Sequence, residues 1–307
     1  MVKDRDNINI YEFRSKKKIN FKMIAIILIA ILLIICIILT INNISITIKE
    51  YEVYKQYETL SSVLKYQEEE RLKKIKEEEE KIKKERNPIL TDLGRQNIEN
   101  IYTSDKKRVF LTFDDGPSPV TESILNTLKQ EKIKATFFVL GSNVDYRPDM
   151  VKRMYDEGHF IGNHGYSHVY SQIYSSPQAV LDEFNSCNEK VRNAIGNPEY
   201  NSHLFRFPGG LPGGKYASLK QEAKELLNQN DIVNIDWNAL NGDAETNDLS
   251  PEFEMQRLSD TVGEKNSVVI LMHDASAKSV TAETLPQIIS FLRDKGYEFD
   301  NFYSIIK

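Results

Sequence analysis

The hydrophobic pattern of the chain changes abruptly along its length. From Met23 to Ile41 the residues are apolar except for Thr40, and no charge falls between Lys22 and Lys49. A run of this length spans a bilayer. A cleavable signal peptide has a shorter apolar region, about 7–15 residues, and a small-residue cleavage site; Asn42-Asn43-Ile44-Ser45-Ile46 offers no such site. Residues 23–46 are therefore predicted to form one uncleaved transmembrane anchor. The pattern then inverts. Residues 49–86 carry eleven acidic and eleven basic side chains with neither Gly nor Pro, which predicts one long helix over 47–86. Glu69 with Lys73, Glu70 with Lys74, Glu77 with Lys81 and Glu80 with Lys84 have the favourable i,i+4 order. Leu72, Ile75 and Ile82 fit a coiled-coil seam, but Glu68 and Glu79 stand where further apolar knobs belong. A solvated stalk, with weak self-association at most, is favoured over a dimerising coil.

Asn87-Pro88 ends the helix, because proline lacks an amide donor and disfavours helical geometry before it. Residues 87–104 read as a linker, and a folded domain is expected over 105–307. There, short apolar runs alternate with longer amphipathic stretches. Strands are predicted at Val109–Thr112, Ala135–Leu140, Phe160–Gly162, Leu204–Phe207, Ile232–Ile235, Val268–Leu271 and Tyr297–Phe299. Helices are predicted at Thr121–Glu131, Pro148–Glu157, Pro177–Ile195, Ser218–Gln229, Pro251–Val262 and Ala282–Lys295. This alternation specifies an α/β domain with a largely parallel sheet, and about seven strand–helix units suit a small (β/α) barrel.

Charge refines the picture. The formal net charge of −5 hides a division: residues 1–22 carry seven Lys/Arg against three Asp/Glu, whereas residues 87–307 carry 22 against 31. The basic tail, with Lys16, Lys17, Lys18 and Lys22 before the apolar run, places the N-terminus in the cytoplasm and the C-terminal bulk outside. The acidic domain excludes a nucleic-acid partner, since affinity for phosphates comes mainly from Lys and Arg. Cys36 lies in the apolar run and Cys187 in a helix-like stretch, so no disulfide framework or catalytic thiol is read.

Polar clusters follow the predicted strands: Asp114-Asp115, His164 with His168, Arg206, Asp236-Trp237 and His273. In parallel α/β folds, sites form at those strand ends. Two adjacent carboxylates repel one another unless a cation or a perturbed pKa relieves them; alone, Asp114-Asp115 could equally make a turn or cap a helix. His164 and His168, four residues apart, share a face if the segment turns helically, and with one Asp they make a three-ligand site of the catalytic type. Zinc is the metal expected. His273, ending a buried strand, is a candidate general acid, a further metal ligand or a packed core residue. Arg206 could orient a carboxylate base or make a surface ion pair. His159 and His203 lack comparable context and are left out of the site.

The order Thr-Phe-Asp-Asp-Gly-Pro-Ser, His-x-x-x-His, Arg-x-Pro, Asp-Trp and Leu-x-His resembles the NodB-homology polysaccharide deacetylases of carbohydrate esterase family 4, most closely the peptidoglycan N-acetylglucosamine deacetylases. The resemblance covers about residues 105 to 305. It implies a distorted (β/α) barrel with a groove open to a polymeric glycan and a divalent metal, zinc or another such as cobalt. It implies Asp114 as the base, held by Arg206; Asp115, His164 and His168 as metal ligands; and His273 as the acid, tuned by Asp236. Trp237 and Leu271 would line the acetyl pocket, and the amide of Gly209 would stabilise the oxyanion. Gly165 replaces the usual Ser or Thr that braces the histidine loop, and Arg206-Phe207-Pro208-Gly209-Gly210 replaces the common Arg-Pro-Pro-Tyr. The expected partner is peptidoglycan, reached from the outer face of the cell membrane. The alternatives are another acetylated polymer (poly-N-acetylglucosamine, chitin oligomers or an O-acetylated glycan) or an inactive wall-binding scaffold.

Overall fold

The computed structural model describes residues 46–306 together with Ile26 and Ile29. The basic tail and almost all of the anchor at 23–46 lie outside the described residues. Among the described residues no helix is long and apolar enough to cross a membrane. The chain divides into two units, 1–78 and 79–307.

Helix α1 (Ile46–Glu85) is 40 residues long, as the charge-rich, Gly- and Pro-free pattern predicts. Its ion pairs differ from those read in the sequence: Lys73–Glu77 at 3.9 Å, Lys81–Glu85 at 3.8 Å, Glu80–Lys83 at 3.3 Å and Glu68–Arg71 at 3.5 Å. On a face where each lysine has several glutamates within reach, solvent-exposed partners exchange at little cost. Within the second unit, Ile82 packs against the main core, and Arg86 Nη1 donates to the carbonyls of Tyr155 and Asp156.

The second unit is a curled parallel sheet surrounded by helices. Its elements are α2 (Asp92–Glu99), β1 (Arg108–Asp114), α3 (Thr121–Gln130), β2 (Thr136–Val139), α4 (Gly141–Tyr146), α5 (Pro148–Asp156), β3 (Phe160–Asn163), α6 (Tyr170–Ile173), α7 (Pro177–Ile195), β4 (Leu204–Phe205), α8 (Ala217–Gln229), β5 (Val233–Asn234), β6 (Ala239–Leu240), α9 (Pro251–Val262), β7 (Ser267–His273), α10 (Ser279–Asp294) and β8 (Glu298–Asp300). The strands run in the order β5-β4-β3-β2-β1-β7-β6, with β8 beside the first half of β1. Residues 235–238 connect the two edges: Ile235 N donates to Phe205 O at 3.0 Å and Asn238 N to Val269 O at 3.1 Å.

Period-two alternation divides the core. Val109, Leu111 and Phe113 of β1, with Val268, Ile270 and Met272 of β7, face the helices. Phe110, Phe138, Phe160, Leu204 and Val269 face the barrel interior, closed below by Phe302 and Ile305. The linker expected over 87–104 is corrected here. Thr91 caps α2, accepting from Gly94 N at 3.1 Å, and Ile98 and Ile101 are buried in the inner core. Eight residues in which only Leu93 and Ile98 are large and apolar carry too little periodicity to be read as a helix.

Candidate active site

The functional groups gather at the C-terminal ends of the parallel strands. Alternation puts Thr112 and Asp114 of β1, and Leu271 and His273 of β7, on the face that carries Phe110 and Val269 one step below. The register sets Asp114 opposite His273, so a carboxylate and an imidazole from remote segments become neighbours.

Arg206, just after β4, is fully buried. Its Nη1 donates to Asp114 Oδ1 at 2.9 Å and Thr112 Oγ1 at 2.7 Å, Nε to Ile235 O at 3.2 Å, and Nη2 to Asp236 O at 3.0 Å. The guanidinium carbon also lies 4.1 Å from the centroid of Phe138. A buried charge so fully committed cannot swing away, and its planar fork fixes the carboxylate. Burial pushes the Asp114 carboxyl above its ordinary range, against the opposing pull of Arg206 and His273.

Beside this pair, Asp115 Oδ1 lies 3.5 Å from both His164 Nε2 and His168 Nε2, and the three ligand atoms lie within 4.8 Å of one another. Among the described residues Asp115 Oδ1 is buried without a hydrogen-bond partner. His164 Nδ1 lies 2.7 Å from Arg206 O, a contact that places the proton on Nδ1 and turns the Nε2 lone pair to Asp115. Burial holds His164 down to about 3, so the ring is neutral. An orphaned carboxylate oxygen facing two imidazole nitrogens is the donor set for a divalent cation, and the residues fit one. Asp115 and His168 both adopt left-handed backbone, with φ of 72° and 57°. That costs about 1–2 kcal/mol for a non-glycine residue and falls where the ligands converge.

Glu183 of α7 braces the histidine loop. Its Oε2 accepts from Tyr166 N at 2.6 Å and Ser167 N at 2.7 Å, and its Oε1 from Ser167 Oγ at 2.6 Å. Gly165 has φ +86°, and a Cβ there would sit 3.1 Å from Ile173 Cδ1 and 3.3 Å from Glu183 Oε2. The hydroxyl absent from Gly165 is thus offset by a carboxylate from a helix, which the sequence pattern did not reveal.

His273 requires a correction. Its Nδ1 lies 2.7 Å from Asp243 Oδ1 and its backbone N donates to Asp243 Oδ2 at 2.8 Å. The Asp236 carboxylate instead accepts from Leu211 N at 3.2 and 3.3 Å. Residues 235–238 cross between the sheet edges, and that path turns Asp236 toward the 206–211 loop; the next turn, Asn241-Gly242-Asp243, delivers the partner. Burial alone would lower His273, but the hydrogen bond and charge of Asp243, aided by Asp114 and Asp115, outweigh it and raise the imidazole to about 9. Asp274 was also missed. It is fully buried, accepts from Thr121 Oγ1 at 2.6 Å and donates its amide to Asp114 O at 3.1 Å; a Cβ on Gly116 would sit 2.0 Å from its carboxylate.

Of the other expected residues, Trp237 is half-buried with its ring edge over Gly210, where a Cβ would approach Cη2 to 3.0 Å. Gly209 has φ +73°, and a Cβ would meet the Tyr170 hydroxyl at 2.5 Å; among the described residues its amide finds no acceptor. His159 is a core residue whose Nδ1 accepts from Ala135 N at 3.0 Å, and His203 bonds Asp231 O at 2.7 Å, both away from the site. Cys187 is buried and free, its thiol pushed up by burial. A cleft of about 450 Å³ opens over the cation cluster, lined by Asp115, Pro117, Asn143, Tyr146, Arg147 and His168 among others. A larger cavity of about 530 Å³ between α2 and α8 meets this site only at Asp236.

Residues 102–229 match the family model described as polysaccharide deacetylase. The chain is 34% identical over 203 residues to a peptidoglycan-N-acetylglucosamine deacetylase of Bacillus cereus, covering 65% of this chain and 70% of that protein. It is 33% identical over 201 residues to the peptidoglycan-N-acetylmuramic acid deacetylase PdaC of Bacillus subtilis, covering 65% of this chain and 39% of that protein. A CE4 esterase of Streptococcus mutans superposes with a TM-score of 0.62 at 31% identity, over 69% of this chain and 92% of that one. The chain belongs to the polysaccharide deacetylases, the NodB-homology group of carbohydrate esterase family 4. It is a hydrolase of that deacetylase class.

Proposed function

We propose that the protein removes N-acetyl groups from N-acetylglucosamine residues of peptidoglycan, using a divalent cation, zinc in the first instance, at Asp115, His164 and His168. The observation that carries this reading is the arginine-held Asp114 set opposite His273 beside that three-ligand cluster. When bound there, the ion supplies Lewis acidity to the amide carbonyl and the attacking water. The chain's own groups handle the protons. Asp114, its basicity raised by burial and its orientation fixed by Arg206, takes a proton from water as oxygen adds to the acetyl carbon. The amide of Gly209, without an acceptor among the described residues, serves the developing oxyanion. His273, kept protonated by Asp243, gives its proton to the sugar nitrogen as the carbon–nitrogen bond breaks, leaving acetate and an amine. Leu271 and Trp237 shape the space for the methyl group.

The choice of polymer rests on the relatives' substrates and on Arg147. Among the described residues this half-buried guanidinium has no ion pair, and it lines the cleft over the cation cluster beside Tyr146, which is 84% exposed. In an acidic domain, a free arginine at that place suits a carboxylate on the glycan, which muramic acid and its peptide carry and neutral chitin does not. The apolar run over 23–46, with the lysines before it, and α1 after it, fit a membrane anchor and spacer that present the domain to the wall.

The test is acetate and amine release by the full chain from peptidoglycan and from neutral chito-oligomers, metal-stripped and resupplied with zinc. Release that requires metal and is lost in Asp114→Asn supports the deacetylase. Release from peptidoglycan that falls about tenfold in Arg147→Ala, with chito-oligomers unaffected, supports the acidic polymer; equal effects on both would remove Arg147 from the argument.

A further inference from the structure

Behind the His273–Asp243 pair lies a second buried carboxyl that the chemistry above does not use. Glu254 of α9 is fully buried, as are Thr281 of α10 and Asn241. Thr281 Oγ1 lies 3.0 Å from Asp243 Oδ2 and 3.0 Å from Glu254 Oε1, while Asn241 Nδ2 donates to Glu254 Oε2 at 3.1 Å. The chain of contacts therefore runs His273, Asp243, Thr281, Glu254.

Donor counting decides what this chain is. Threonine has one hydroxyl proton, so Thr281 cannot donate to both carboxylates. Asp243 is tied to an imidazole and a backbone amide and accepts from both. If Thr281 donates to Asp243, its contact with Glu254 survives only when Glu254 is protonated and donates to the threonine oxygen. If Glu254 ionises, the hydroxyl is drawn to it and Asp243 loses a donor.

The groups around Glu254 favour the neutral form. Asp243 faces it with negative charge, and Thr284 of α10 also faces it, with its hydroxyl 2.8 Å from Val280 O. Lys278 reaches the Asp243 carbonyl, and Arg257 on Glu254's own helix is paired with Glu245 at 2.6 Å. No cation contacts the Glu254 carboxyl among the described residues. Burial, with the Asp243 charge adding to it and hydrogen bonds opposing, raises Glu254 to about 7.

We propose that Glu254 is a positioning residue that sets the acid strength of His273 through Thr281 and Asp243. With Glu254 protonated, Thr281 donates to Asp243 and spreads its charge, so Asp243 grips the imidazolium less tightly. As pH rises and Glu254 ionises, Asp243 loses that donor and gains a negative neighbour. His273 then holds its proton more firmly, which extends the protonated acid to higher pH and makes it a weaker donor to the leaving nitrogen. The step is a proton leaving Glu254 for solvent and one hydroxyl rotating; no other bond changes.

This inference rests on His273 being the acid, and its test separates the two ideas. The nitrogen shifts of His273 are titrated by NMR in the full, zinc-loaded chain, and kcat/KM is measured from pH 5 to 9, for the native protein, Glu254→Gln, Thr281→Val and the double variant. Glutamine donates to Thr281 at every pH. It is expected to lower the midpoint of His273 and to change the ratio of activities at pH 8 and pH 6 by roughly three- to tenfold relative to the native protein. Without the Thr281 hydroxyl the Glu254→Gln effect should shrink to the smaller part carried by the charge alone. An unaltered His273 midpoint in a folded Glu254→Gln protein, or an equal effect with and without Thr281, overturns the proposal. A coupled titration in a protein whose activity ignores His273 would leave the coupling standing and remove His273 as the acid.

Discussion

The two halves of the site are built on different terms. On the β7 side, Arg206, Asp114, His273 and Asp243 satisfy one another, and each charged group has a partner of opposite sign or a hydrogen bond at 2.7–3.0 Å. On the β3 side, Asp115 Oδ1 is buried and unpaired, two imidazole nitrogens face it at 3.5 Å, and Asp115 and His168 hold left-handed backbone. A buried carboxylate oxygen without a donor costs about 1–3 kcal/mol or more, and the cation proposed for this half would offset that cost. The proton-handling half is complete in the protein alone.

The largest effects should come from the incomplete half. Removing zinc with a chelator, or His164→Ala, is expected to lower kcat by at least roughly a thousandfold, because Lewis acidity disappears with the ion. Zinc titration beside the activity assay checks it; a His164→Ala protein that binds zinc at full strength and turns over would break the distinction. Asp114→Asn should cost roughly 10²–10⁴ in kcat while zinc binding stays near native, since its partner is Arg206 and general-base catalysis is of that size. Loss of zinc in that variant would mean that the halves share a ligand.

Asp243→Asn comes next, and its sign depends on pH. With Asp243 beside it, His273 sits at about 9 against roughly 6.5 unfolded. That raised value contributes stability fully present below pH 6.5 and lost as pH rises through about 9, at most roughly 3 kcal/mol. In the variant burial prevails and the imidazole falls below its ordinary value. The alkaline limb of kcat/KM should then move from about pH 9 to below about 6.5, and the stability deficit should be greatest in acid and close above pH 9. Urea unfolding and rate profiles across that range check both; a deficit that grows with pH would reverse the assignment. Asp236→Asn, whose carboxylate accepts from the Leu211 amide rather than from His273, should leave the limb in place.

How far these halves could be read from the sequence follows from how local their signals are. Asp114, Asp115, His164, His168, Arg206 and His273 each follow an apolar strand run, so periodicity placed them at one end of one sheet, and the helices Pro177–Ile195 and Pro251–Val262 were legible to the residue. The partners were not. Asp243 arrives after β6, which has two residues, too few to show alternation, and the Asp236-Trp237 pair drew attention to the wrong carboxylate. Glu183 and Glu254 sit within amphipathic helices, where an acidic residue reads as solvent-facing until packing shows it turned inward. Helix α2 was hidden for a related reason, being eight residues long between a proline and a strand.

Glu183 gives the finest test of the division, with the smallest expected effect. It is not one of the three candidate ligands, but it holds two amides and a hydroxyl of the loop that carries His168. Supports of this kind typically change metal affinity about 10–100-fold when removed. Glu183→Gln keeps one acceptor oxygen for the amides and loses the charge, so zinc affinity measured by chelator competition should fall by about tenfold, the low end of that range. The His273 titration should not move, because among the described residues no hydrogen bond joins α7 to Asp243, and the two sides touch only at His164, whose Nδ1 meets Arg206 O and whose Nε2 lies 3.9 Å from Asp114 Oδ2. Unchanged zinc affinity would show that the loop keeps its shape without the brace, and a displaced His273 midpoint would show that the contacts of His164 with Arg206 and Asp114 transmit strain between the halves.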